Sequence, residues 1–274
     1  MSFKSLMVHI DLDRPNDTRI KIAGTLAERF GAGVIGIAVC REVPLAYSDG
    51  YSASQLIEQE RKTIAARMQT AETHFRSVLD GHAKFIEWRS AITDPIEYAA
   101  QQARAADLVI LGAAHREESF DPVRELDPAD FLAAVGRPIL LVPHEVESLT
   151  ANRILIAWKD TREARRAVLD ALPLLRLCES AIVAEIDESN DPTAAQAAVN
   201  DVVVWLSRHG VKARGMVPPL LDSPAQQLDS LAWEEGADLI IAGAYGHSRF
   251  REWVLGGATR DFIMRMPRCT LLSH

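Results

Sequence analysis

Along the chain, short runs in which every position is apolar alternate with longer stretches in which apolar residues return every third or fourth place. Runs that are apolar on both faces fit strands buried inside a parallel sheet, and the wider spacing fits helices packed against it. In the second half the predicted strands are Ile154 to Trp158, Ala181 to Ile186, Val211 to Val217, Leu239 to Ala242 and Thr270 to Ser273. Between the first two, "TREARRAVLDALPLLRL" sets Ala164, Ala167, Val168, Ala171, Leu172 and Leu175 on one helical face, with Asp160 or Thr161 as N-cap. "DPIEYAAQQARAAD" and "SPAQQLDSLAWEEGAD" each open with a capping residue followed by Pro, the usual start of a helix. The stretch from Ser52 to Leu79, with Leu56, Ile57, Ile64, Met68, Phe75 and Val78 in phase, predicts a crossover helix. It is not cationic enough for a membrane-surface helix.

The pattern occurs twice. Shifting the sequence by about 131 residues lays "DLVILGAAH" from Asp107 on "DLIIAGAYG" from Asp238, and the match runs without a gap to the C-terminus. About eleven of the 37 paired positions are identical, including Asp130-Phe131 with Asp261-Phe262. Upstream, "SLMVHID" from Ser5 meets "RILIAWK" from Arg153. Two copies of one unit are therefore predicted, residues 1–145 and 150–274, separated by the polar "HEVESLTAN". The expected fold class is α/β: two tandem open α/β sandwiches, each a five-stranded parallel sheet with flanking helices.

Composition narrows the function. The 274 residues are 48% hydrophobic and 25% charged, as in ordinary globular proteins, and the net charge of −8 provides no field to attract a polyphosphate backbone. Nucleic acid is not expected as a partner. Cys40, Cys178 and Cys269 are far apart, with no zinc spacing, and read as reduced thiols. The opening "MSFKSLMVHIDLD" meets acids where a secretory apolar region would continue, and no stretch is long and apolar enough for a membrane span, so a cytoplasmic protein is expected.

The candidate chemistry lies in "GAYGHSRFREWVLGGATRDF", residues 243–262. Gly243, Gly246 and Gly256 have the spacing G-x2-G-x9-G, and Gly257, Ala258 and Thr259 follow where a helix is predicted to start. A ligand in an open α/β sheet sits beyond the carboxyl ends of the strands, and a helix N-terminus there offers N–H groups to a phosphate. His247 and Arg249 follow the second glycine and could close over phosphate oxygens. In the first copy the three glycine places hold Gly112, His115 and Glu125, so that copy keeps the strand and loses the cradle.

The glycine spacing, the five-strand alternation and the "GADLIIAG" lead-in resemble the universal stress protein family in its tandem, two-domain form. The resemblance implies sheets of the HUP, adenine nucleotide alpha hydrolase-like type and an adenine nucleotide, ATP or AMP, with or without Mg2+, in the second domain. It implies that Ala157, Trp158, Lys159, Asp160 and the Glu185 backbone hold the nucleoside, while Gly243, Gly246, Gly256, Gly257 and Ala258 hold the phosphates. ATP-binding members usually have Ser or Thr after the third glycine, where this chain has Gly257, with Thr259 nearby. They usually have Asp at the end of the first strand, where this chain has Lys159. The family also implies pairing of the last strands, "ILLV" and "TLLS", an unknown protein partner and a possible homodimer.

Two alternatives stay open: a slow ATP hydrolase using Lys159 or Arg249, and a nucleotide-free scaffold or small-ligand receptor. No nucleophile elbow, Walker loop or cation-binding loop is present in the sequence, no catalytic residue is assigned, and His9 reads as an internal histidine.

Overall fold

The computed structural model describes residues 2–42, 50–113, 126–188, 192–221, 223–244 and 267–274, with the side chains of 50–53 left aside. The chain divides into two compact units, Phe3–Arg137 and Pro138–His274 together with the first two residues.

In the first unit β1 (Ser5–His9), β2 (Gly33–Cys40), β3 (Ile86–Ile92) and β4 (Leu108–Gly112) pair in parallel in the order β3-β2-β1-β4. Between and after them run α1 (Asp17–Phe30), α2 (Gly50–Leu79), α3 (Pro95–Gln102) and α4 (Pro128–Val135). Strand β2 is buried at every position, as its unbroken apolar sequence requires when helices cover both faces. The helix starts follow local chemistry. Asp94 accepts from Glu97 N at 2.8 Å ahead of Pro95, and Asp127 from Ala129 N at 2.8 Å ahead of Pro128.

In the second unit the elements are β5 (Ile139–Val142), β6 (Arg153–Ala157), α5 (Arg162–Asp170), α6 (Leu172–Leu175), β7 (Ser180–Ala184), α7 (Pro192–Arg208), β8 (Ala213–Met216), α8 (Pro224–Glu234), β9 (Leu239–Gly243) and β10 (Cys269–Ser273). The strand order is β5-β10-β9-β6-β7-β8. All neighbours are parallel except β5, which runs antiparallel to β10 with Thr270 opposite Leu141 and Leu271 opposite Leu140. The pairing of "ILLV" with "TLLS" is therefore present.

The α/β class and the mostly parallel sheet with flanking helices agree with the sequence pattern. One detail differs from it. The helix expected across residues 161–177 is two pieces, because Pro173 lacks the N–H needed to continue the ladder beyond Asp170.

One aspartate explains much of the repeat. Asp107 Oδ2 accepts from Lys4 N at 2.7 Å and Ser5 N at 3.0 Å, anchoring the chain at the start of β1. Asp238 Oδ2 does the same ahead of β6, accepting from Thr150 N at 3.0 Å, Thr150 Oγ1 at 2.6 Å and Ala151 N at 2.8 Å.

Candidate functional site

The carboxyl ends of β6, β7, β9 and β10 are held in one register. Ala157 pairs with Ala184 and Ala242, and Ser273 with Gly243, so the next rung carries Ser273, Gly243, Trp158 and Glu185 side by side. Alternation fixes their face. Leu155, Ala157, Ile182, Ala184 and Ile240 pack with Ala232, Leu228 and Leu231 of α8, which leaves this rung on the opposite side, toward α5.

α5 starts at this rung. Thr161 caps it, its hydroxyl accepting from Ala164 N at 3.2 Å. The helix backbone then lies against Gly243: a Cβ there would stand 2.4 Å from Ala164 N and 2.5 Å from Glu163 C. The glycine at 243 is thus accounted for by helix docking.

The rung is polar yet buried. Trp158 is 7% exposed, Glu185 7%, Glu163 3% and Ser273 1%. Trp158 Nε1, Glu163 Oε2, Glu185 Oε2 and Ser273 Oγ have no hydrogen-bond partner among the described residues. Asp170 Oδ2 on α5 and Asp238 Oδ1, at the amino end of β9, are also without one, but Asp170 lies near Arg166 and Asp238 is engaged through its other oxygen. Leaving a buried polar group unpaired costs about 1–3 kcal/mol, so four in one place need a cause.

The first unit shows that the fold does not require them. The equivalent rung there is Ile10, Ala38 and Gly112 from the register of β1, β2 and β4, with Val142 opposite Ser273 in the repeat alignment, all apolar or glycine. Among the described residues of that unit only Ser5 Oγ, at the other end of β1, is buried without a partner. Beside Gly112 the first unit places its own cation. Arg19 is buried and donates to His9 O and Pro15 O, each at 3.1 Å, and a Cβ on Gly112 would lie 3.0 Å from its Cζ.

Charge around the second rung is mixed and on balance acidic. Lys159 Nζ lies 3.9 Å from Glu185 Oε1 and 3.7 Å from Glu188 Oε1, Arg165 pairs with Asp160 at 2.6 Å, and Arg162 pairs with Glu163. Burial raises the Glu185 carboxyl above its ordinary value; Lys159 opposes this, while Asp160, Asp187 and Glu188 add to it. For Glu163 burial also disfavours the anion, but Arg162, its own backbone N–H and Thr161 outweigh burial and hold it below the ordinary range.

Of the residues expected at the site, Ala157, Trp158, Lys159, Asp160, Glu185 and Gly243 converge on this edge. The Glu185 backbone N–H, expected to face a nucleoside, donates to Met216 O at 3.2 Å, while its side-chain oxygen lacks a partner. Gly246, His247, Arg249, Gly256, Gly257, Ala258 and Thr259 lie outside the described residues, as do His115 and Glu125 of the first repeat. Glu163 and Ser273 were not expected; a comparison of "TLLS" with "ILLV" position by position would have exposed the second. Among the described residues no group of three or more His, Cys, Asp or Glu side chains is placed to hold a metal ion, and no helix is long and apolar enough to cross a membrane.

A universal stress protein from Archaeoglobus fulgidus DSM 4304 superposes with a TM-score of 0.76 at 14% identity, covering 98% of this chain and 95% of that one. The chain has the universal stress protein fold. A functionally unknown protein from Pseudomonas aeruginosa PAO1 shares it, with a TM-score of 0.60 at 13% identity over 99% of this chain and 92% of that one. No protein-family model and no curated protein matches the sequence. The rung lies at the carboxyl edge of the strands, where open α/β sheets in general hold ligands.

Proposed function

We propose that this chain is a tandem universal stress protein, with repeats at 1–145 and 150–274, whose second repeat binds an adenine nucleotide and which acts as a cytoplasmic regulatory binding protein in the stress response. The observation that carries the reading is the set of buried unpartnered atoms on Trp158, Glu163, Glu185 and Ser273, absent from the equivalent rung of the first unit. A ligand offering both donors and acceptors satisfies them, as a nucleoside does. In this reading Ala157, Lys159 and Asp160 border the nucleoside, and the N–H groups around Gly246, Gly256, Gly257, Ala258 and Thr259, with His247 and Arg249, meet the phosphate of ATP or AMP. Mg2+ arrives, if at all, with the nucleotide. Binding alters the surface that a protein partner or a second copy of the chain reads.

Isothermal titration of the full chain with ATP and AMP, with and without Mg2+, tests this. Gly246→Val and Gly256→Glu, the latter copying the first repeat, are expected to abolish phosphate-dependent affinity. Full affinity in both variants removes the glycine segment from the site. The small-ligand alternative is favoured by one observation, the surplus of carboxylates over cations at this edge, and it predicts no response to either nucleotide.

A further inference from the structure

At the opposite, amino ends of its strands the second unit has a cleft of about 530 Å3, whose polar lining is Arg153, Glu179, Ser180, Lys212, Arg214 and Glu235. Register fixes how these residues stand. Arg153 is opposite Ser180 and Ala181 opposite Ala213, so Arg153, Ser180 and Lys212 form one rung where β6, β7 and β8 begin. Two residues along, Leu155, Ile182 and Arg214 form the next rung of the same face, the one on which Leu155 and Ile182 pack with α8. Three cations therefore stand on two successive rungs of one face. The chain segments that build this edge, 150–153, 178–182, 210–214 and 235–238, are all among the described residues.

Only one of the three is neutralised. Arg214 Nη2 lies 2.5 Å from Glu235 Oε2. Arg153 donates from Nη1 to the Glu235 carbonyl oxygen at 3.5 Å, where α8 ends, and Lys212 has no partner for its ammonium; neither has a carboxylate beside it among the described residues. Cations gathered on neighbouring strands repel one another, so this face gains nothing for the fold from them. The first unit shows what the fold alone accepts here. Its corresponding rungs are Ser5, Gly33 and Phe85, then Met7, Ile35 and Glu87, with no cation. Phe85 lies over Gly33 so closely that a Cβ on the glycine would collide with the ring. The same backbone is thus closed by an aromatic ring in one repeat and left open and cationic in the other.

We infer that this amino-edge cleft binds a phosphate monoester of a polyhydroxy compound, with the phosphate held by Arg153, Ser180 and Lys212. The Ser180 hydroxyl stands between the two unneutralised cations, about 4.8 Å from each strand neighbour by sheet spacing. Donors arriving from three strands suit an anion with oxygens in three directions better than a planar carboxylate. A cleft of this size lies within the range of small-molecule sites, roughly 300–1,000 Å3, and leaves room for an organic part beside the phosphate. Glu179, the carboxylate at the cleft that no cation neutralises, offers an acceptor to hydroxyls on that part. The site is independent of the nucleotide reading, because it stands at the other end of the strands.

The experiment titrates the full chain with glycerol 3-phosphate, glucose 6-phosphate, inorganic phosphate and succinate, read by calorimetry and by the amide resonances of Ala181 and Ala213. The proteins are the native chain, Lys212→Met, Arg153→Met, the double variant Ser180→Gly with Lys212→Phe, which copies the first repeat, and Gly256→Glu. At least one ester is expected to saturate, to shift both amides, and to bind about fivefold or more tighter than inorganic phosphate or succinate. Lys212→Met and Arg153→Met are each expected to weaken it by about tenfold or more. The double variant is expected to lose binding and to melt at a higher temperature, because the ring closes the cleft. Gly256→Glu is expected to keep full affinity for the ester. Absence of saturable binding by both esters overturns the inference, as does inorganic phosphate binding as tightly as either. Affinity retained in Lys212→Met and in the double variant overturns it as well. Loss of ester binding in Gly256→Glu alone moves the phosphate to the carboxyl edge, which overturns this inference and leaves the nucleotide reading standing.

Discussion

Gly243 and Ala164 meet where no side chain can stand: a Cβ on the glycine would come 2.4 Å from the Ala164 backbone nitrogen. At Gly112, the same place in the first repeat, the nearest atom is the Cζ of Arg19 at 3.0 Å, on a side chain that can yield. Gly243→Ala is therefore expected to destabilise the protein by about 2–3 kcal/mol, and Gly112→Ala by less than about 1 kcal/mol. Urea unfolding of the two variants checks the order. Equal costs would mean that α5 is not seated on β9 as described.

His9 gives the first unit a pH dependence. Burial, with Arg19 adding to it and Asp11 opposing it, lowers its pKa from 6.5 to about 4. The folded protein thus holds a neutral ring at pH values where the unfolded chain binds a proton. Stability is fully present above about pH 6.5 and falls as the pH drops toward 4, by about 3 kcal/mol in total. Unfolding free energies measured between pH 7 and 5 should show this slope, and His9→Gln should flatten it.

Glu185 acts with the opposite sign. Its raised carboxyl keeps a proton that the unfolded chain releases, so its contribution is present at acid pH and is lost as the pH rises from the ordinary carboxyl range through the higher folded value. Glu185→Met should remove that component, seen as a steeper rise of stability with pH in the variant than in the native protein.

Asp107 and Asp238 should be costly to lose, because each carboxylate receives two or three hydrogen bonds that tie the start of a central strand. Truncation of either to Ala is expected to cost about 1–3 kcal/mol. The Asp238 variant should also increase hydrogen exchange at the amides of Thr150 and Ala151.

The thiols differ in access. Cys269 and Cys40 are buried, and burial with the nearby Asp238 pushes the Cys269 thiol up to about 12, whereas Cys178 is half-buried. A disulfide reagent at pH 8 is expected to label Cys178 in the native protein and all three cysteines after unfolding.

Much of the architecture was legible in the sequence for physical reasons that act locally. Apolar strands such as "DLIIAG" read plainly because both faces are covered, and the prolines after Asp94 and Ser223 mark helix starts. Pro173 was visible too, but the apolar phase carried past it, so one helix was expected where two stand. The site was legible only in part. Trp158, Lys159 and Glu185 lie at the end of readable strands, whereas Ser273 joins them through register across the sheet and Glu163 through the docking of α5 on Gly243, relationships that no window of sequence contains. Gly243 illustrates a different limit: a missing Cβ invites a ligand or a helix equally, and only coordinates show that α5 is there.

The antiparallel pairing of β5 with β10 joins the ends of the two duplicated segments. Each segment closes on a short apolar strand, Ile139–Val142 and Cys269–Ser273, and the two strands cover one another. A gene fragment cut at the repeat boundary near residue 150 would encode a protein with the open apolar margin of β10 available to any strand that passes, and one cut at Pro138 would carry its own cover. For anyone dissecting this molecule, the four residues of β5 decide whether a fragment of the second copy keeps that margin covered.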